Sequence, residues 1–138
     1  MLTLGRRVAS GLGVDLDWLI VGPAPADAAD VGSRYVVAHI DLASSIPAEF
    51  SPDTYVAALA DYAKQATPCA MLFLQTYEAR LVAPRLAARL GSAVVMNAVD
   101  ANVDGGSIAV EATAYGGDTR VVYRCGEARL SVIGVTAG

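Results

Sequence analysis

The sequence predicts an α/β domain: a mostly parallel sheet flanked by helices, followed by an antiparallel meander. Three observations predict it. The apolar runs Trp18-Leu19-Ile20-Val21 and Ala70-Met71-Leu72-Phe73-Leu74 read as strands buried on both faces of a parallel sheet. Segments with the apolar period of a helix alternate with such runs. After Gly91 the helical period stops, and short strand-like runs follow, separated by glycine-containing connectors.

The elements follow in order. Leu4, Val8 and Leu12 recur every fourth residue and predict an opening helix, ended by Gly11 and Gly13. Asp17–Val21 is a short strand stopped by Gly22-Pro23. Residues 24–32 are small and polar, with room for a short helix, and Arg34–Ile40 is expected to be the next strand. Ser44–Phe50 reads as loop. Ser51-Pro52-Asp53 is a helix start, with a Ser cap, Pro at the first helical position and an acid near the positive end. Its apolar stripe is Val56, Leu59, Tyr62 and Ala63, and Pro68 ends the segment. Ala70–Leu74 is a strand, and Glu78–Leu90 is a helix closed by Gly91, with Leu81, Val82, Leu86 and Leu90 inward. Pro84 lies inside that helix, lacks a backbone donor and crowds the carbonyl of Arg80, so a kink is expected. Ala93–Val99, Ser107–Ala114, Thr119–Arg124 and Ala128–Val135 are read as the strands of the meander.

Bulk properties exclude several classes. A chain of 138 residues fits one domain, 1–138, large enough to bury a core without staples. Hydrophobic residues at 54% against 17% charged exclude a disordered chain. No apolar run approaches the roughly 20 residues of a membrane span, and no secretory leader opens the chain. The net charge is −4, and Lys64 is the only lysine, so no basic stripe for nucleic acid is present. Cys69 and Cys125 lack metal-ligand spacing and read as reduced, half-buried thiols. The expected setting is cytoplasmic or an organelle matrix.

Three motifs then occur in a particular order. Ala79-Arg80-Leu81-Val82-Ala83-Pro84-Arg85-Leu86-Ala87-Ala88-Arg89-Leu90-Gly91 is the first. Val103-Asp104-Gly105-Gly106 followed by Tyr115-Gly116-Gly117 is the second, and Leu130-Ser131-Val132-Ile133-Gly134-Val135 the third. In this order and spacing they resemble the N-terminal domain of electron-transfer flavoprotein alpha subunits. The family's Gly and Asp at the helix start are Ala79 and Leu81 here, and its Thr-Arg-Pro before Tyr-Gly-Gly is Glu111-Ala112-Thr113. Family members carry a strand ahead of the first helix and a flavin-binding domain after the equivalent of Gly138; both are absent from residues 1–138.

The resemblance implies a Rossmann-like, adenine-nucleotide alpha-hydrolase-like sheet. It implies a structural domain, not an enzyme by itself, that supports FAD-mediated electron transfer in a heterodimer with a beta-type subunit. A homo-oligomer is the other expected partner state, and no FAD is expected on this chain alone. The alternative is a stand-alone nucleotide-binding domain of universal-stress-protein-like fold, which would want a Gly-rich loop after the Ala70 strand. A small enzyme is a third reading, opposed by the lack of a nucleophile–base pair.

Candidate site residues follow from position. Gln75, Thr76 and Tyr77 lie where a parallel sheet offers its ligand site, with Arg80 in reach, and make a weak anion site beside Glu78. Tyr115, Gly116, Gly117 and Arg85 are interface candidates, although Tyr115-Gly116-Gly117-Asp118 equally suits a hairpin turn. His39, the only histidine, has Asp41 nearby but no nucleophile or metal set, so a structural or solvent-facing role is expected. Tyr55 and Tyr62 read as core or rim, and Asp15 and Asp17 as solvated charges. Asp100 and Asp104 have too few oxygen neighbours for a metal.

Overall fold

The computed structural model describes residues 1–43, 46, 49–126 and 130–136. Helix α1 (Leu2–Leu12) leads to β1 (Asp17–Ile20), α2 (Ala28–Arg34), β2 (His39–Leu42), α3 (Pro52–Ala66), β3 (Ala70–Leu74) and α4 (Tyr77–Leu90). Strands β4 (Ala93–Asp104), β5 (Ser107–Ala114), β6 (Thr119–Cys125) and β7 (Ser131–Val135) complete the chain. The α/β class read from the sequence is the class observed. Residues 44, 45, 47 and 48 of the expected loop, and Ala128 at the expected start of the last strand, lie outside the described residues.

The described strands form two sheets. Strands β1 and β2 pair in parallel, and a five-stranded sheet runs in the order β3-β7-β4-β5-β6. Within it β3, β7 and β4 are parallel, while β4, β5 and β6 are antiparallel. The closing strand is therefore not the last arm of a meander. Strand β7 returns to the sheet centre, and every one of its residues is buried. Apolar residues on both faces, with no alternation, are what a central parallel strand requires.

The expected strand Arg34–Ile40 is corrected to His39–Leu42. Tyr35-Val36-Val37 has strand composition, but the end of α2 claims it. The Val37 N–H donates to the Gly32 carbonyl at 3.0 Å, and Val36 sits at φ 58. Strand β2 begins only after this turn.

Helices cover both faces of the parallel region. On one face, Leu4 and Val8 of α1 pack with Ala98, Ala101, Val110 and Ile133. On the other, Val56, Leu59 and Ala60 of α3 meet Val82 and Leu86 of α4. Ser51 stands at the α3 N-cap position, but its hydroxyl takes the Thr54 hydroxyl at 3.2 Å instead of a backbone donor. Helix α4 runs unbroken through Pro84 and buries Val82, Ala83, Leu86 and Ala87, leaving Leu81 and Leu90 half-buried. Pro84→Ala restores one backbone donor, so a gain of about 0.5–1 kcal/mol is expected. Thermal melting checks it; a loss above about 2 kcal/mol would mean that the Pro84 geometry is required for packing.

Candidate functional site at the ends of the parallel strands

Strands β3 and β7 end side by side where β4 leaves its parallel pairing with β7, and the residues at this edge interlock. Asn97, inside β4, adopts φ 59, a left-handed conformation that Asn tolerates better than most residues. The β4 register shifts on both sides of it. Gln75, just past β3, clamps this bulge. Its Oε1 accepts from the Asn97 N–H at 2.6 Å, and its Nε2 donates to Asn97 Oδ1 at 2.7 Å. Thr136, just past β7, donates both its N–H and its hydroxyl to the Ala98 carbonyl. Sequence reading singled out Gln75 but missed Asn97; an Asn interrupting an apolar strand was the available signal.

The other anion-site candidates point elsewhere. Thr76 caps α4, its hydroxyl accepting the Ala79 N–H at 3.2 Å. Glu78 takes a hydrogen bond from its own backbone N–H and one from the Thr76 hydroxyl, and both hold its carboxyl below the usual range. An internal carboxylate thus already stands at the positive end of this helix. Tyr77 and Arg80 are exposed, and no ion pair joins Arg80 to another described residue.

Among the interface candidates, Tyr115 is 84% exposed and stands at φ 50, with Gly116 at φ 74 and Gly117 at φ 103. Three successive positive φ values make the β5–β6 connection a turn that projects the Tyr ring into solvent. Arg85 lies on α4 and pairs with Asp53 at 3.2 Å, so it and Tyr115 occupy separate elements.

The ends of β1 and β2 carry a second constellation. The Tyr62 hydroxyl donates to Asp41 at 2.8 Å, and burial, then this bond, push its pKa up to about 12. Tyr62, Asp41, Asp61, Gln65 and Leu19 line a concavity of about 520 Å³. Two carboxylates on its wall disfavour phosphate. At the opposite end of these strands, His39 Nδ1 lies 2.9 Å from Asp17 Oδ1, so its partner is Asp17, across the strand pair, and not Asp41. That hydrogen bond, followed by the Asp17 charge, raises the His39 pKa. The pair therefore stabilises the β1–β2 ribbon fully below the unfolded value near 6.5, and the contribution is lost as pH rises through the folded value. An NMR titration should give a His39 midpoint above 6.5, and Asp17→Asn should return it to about 6.5. An unchanged midpoint in the variant would remove Asp17 as the cause.

Among the described residues, no cluster of three His, Cys, Asp or Glu side chains could hold a metal, and no helix is long and apolar enough to cross a membrane. Both cysteines are free; Cys69 is exposed and Cys125 buried, so neither is the half-buried thiol expected.

Comparison with known proteins decides the family. A family model described as electron transfer flavoprotein domain matches residues 1–138. The chain belongs to that family. A curated relative, Protein FixB of Clostridium saccharobutylicum, is 26% identical over 140 residues, covering 100% of this chain and 42% of the relative. The chain thus spans less than half the length of that protein. In the electron transfer flavoprotein domain seen here, the three motifs read from the sequence fall on α4, on the β4–β5 and β5–β6 connections, and on β7.

Proposed function

We propose that residues 1–138 act as the structural, subunit-docking domain of an alpha-type electron-transfer flavoprotein, and are not an enzyme by themselves. The observation that carries this reading is the family match over the whole chain. In such an assembly FAD supplies the electron-carrying chemistry. The described residues fit that cofactor poorly. A dinucleotide cradle needs a Gly-rich turn opening a helix. The turns Gly105-Gly106 and Gly116-Gly117 connect strands, and the α4 start carries Thr76 and Glu78 instead of glycines. The reading therefore assigns FAD to another part of the assembly and gives this chain the task of docking a beta-type subunit.

Tyr115 is the residue assigned to that docking. An exposed aromatic held at the tip of a tight turn offers a rigid anchor with little entropy to lose on binding. Tyr115→Asp should weaken binding of the beta-type subunit at least about tenfold, close to 1.4 kcal/mol, with an unchanged melting temperature, since Asp also tolerates positive φ. Titration calorimetry of the two purified proteins checks it. Equal affinities for the two forms would move the docking surface elsewhere.

A further inference from the structure

A strand face covered by a helix is ordinarily apolar, and β2 departs from this at Asp41. In the β1–β2 ladder Asp41 is the register partner of Leu19, so the two side chains share one face. That face is turned to α3. Leu19 packs against the cluster that holds Val56 and Leu59, and the Tyr62 hydroxyl reaches Asp41 Oδ2 at 2.8 Å. A half-buried carboxylate keeps its charge where hydrogen bonds and an opposite charge offset its lost hydration. Tyr62 serves one oxygen, and Oδ1 takes no hydrogen bond from a described side chain. Among the described residues no Lys, Arg or His forms an ion pair with Asp41. The chain's one lysine, Lys64, is turned to Asp61 at 3.4 Å.

The same place is hollow. Leu19 and Asp41 form one wall of the concavity of about 520 Å³, within the roughly 300–1,000 Å³ of small-molecule sites. Ala58, Tyr62 and Gln65, spaced by four and three residues on α3, form the facing wall. Leu59 and Ile46, both buried, make the floor apolar, and the exposed Leu42 and Asp61 stand at the mouth. The polar groups favour one sign of charge. Asp41 and Asp61 are carboxylates, and Tyr62, its pKa pushed up to about 12, stays a neutral donor. The charge of Asp17 also acts on Tyr62, so the local field is negative. A hard metal ion asks for six or more oxygens, and no group of three acids, His or Cys is present among the described residues. An ammonium group asks for less: one carboxylate beside an apolar surface for the rest of the molecule.

We propose that the concavity between β2 and α3 binds a small organic cation, a protonated primary amine on an apolar body. Asp41 Oδ1 receives the ammonium group as a charge-assisted hydrogen bond. The Tyr62 hydroxyl fixes the Asp41 carboxylate from its other oxygen and so sets the direction of approach. Leu19, Leu59 and Ile46 cover the apolar body, and Asp61 at the mouth adds attraction over a longer range. A neutral analogue leaves Asp41 without its counter-charge, and an anionic one meets two carboxylates, so the site discriminates by charge more than by shape. It lies on β2 and α3, apart from the Tyr115 turn between β5 and β6. The inference therefore goes beyond the docking role and does not depend on it.

The test titrates the purified chain with three probes of one shape: 2-phenylethylamine, 2-phenylethanol and 3-phenylpropionate. NMR shifts of the Leu42, Asp61, Tyr62 and Gln65 amides report occupancy. The expected result is saturable shifts at these amides with the amine, binding at least about tenfold weaker for the alcohol, and none for the acid. Asp41→Asn keeps an oxygen for the Tyr62 hydroxyl and removes the charge. It should weaken the amine at least about tenfold and leave the alcohol unchanged. Asp61→Asn, an exposed change that leaves the fold intact, should weaken the amine several-fold and carries the test if Asp41→Asn lowers the melting temperature. Asp53→Asn, exposed on the same helix and paired with Arg85, should change nothing. Equal affinity for the three probes, no saturable shift at these amides, or an amine that binds the Asp41 and Asp61 variants as tightly as the unaltered chain would overturn the proposal. So would the same amides responding to magnesium chloride alone, which would make the site a metal site.

Discussion

Ile133→Ala should cost the domain about 3–4 kcal/mol and lower its melting temperature by roughly 10–15 °C. Ile133 is 0% exposed in the middle of β7, paired with Leu72 on one side and Val95 on the other. Its side chain meets Leu4 and Val8 of α1, together with Val110 of β5. Truncation removes three carbons from a site closed on all sides. Backbone ladders pin the surrounding strands, so collapse into the void is limited and the cavity term persists. The loss is a large part of the 5–15 kcal/mol typical of a whole domain. Denaturant unfolding checks the size, and a loss below about 1 kcal/mol would mean that β7 is not the packed centre of the sheet.

The second large effect is steric. Gly11→Val should destabilise by about 1–3 kcal/mol, the usual range for overpacking. A Cβ at Gly11 would stand 2.8 Å from Val103 Cγ2 and 2.9 Å from Val103 Cβ. The Val103 Cβ is fixed to the β4 backbone and cannot swing aside. The last turn of α1 would have to lift from the sheet. Ser10→Ala, one position earlier and exposed, should stay within about 0.5 kcal/mol and serves as the control. Equal melting temperatures for the two variants would mean that α1 does not rest closely on β4.

Much of this architecture was legible where one local signal stood unopposed. Ala70–Leu74 is a strand with the bounds its apolar run implied, and Ser107–Ala114 is a strand over the expected residues. The α4 stripe at Val82 and Leu86 was visible as periodicity. The failures have physical causes. Tyr35-Val36-Val37 looks like a strand by composition, but a helix end is decided by hydrogen bonds back to Val31, Gly32 and Ser33. The place of β7 is a non-local fact: Leu130–Val135 advertises a buried strand, and nothing in its residues says that it inserts between β3 and β4. The Gln75–Asn97 clamp joins positions 22 apart and depends on a bulge that periodicity does not show.

In the proposed function, residues 1–138 dock a partner and leave the flavin to the rest of the assembly. Sedimentation velocity of the purified chain, mixed with an electron-transfer flavoprotein beta-type subunit and FAD and followed by protein and flavin absorbance, tests it most directly. The expected result is that the chain alone sediments without flavin, and that it moves as a faster complex when the beta-type subunit is added. Stoichiometric flavin travelling with the chain alone, or unchanged sedimentation in the mixture, would contradict it.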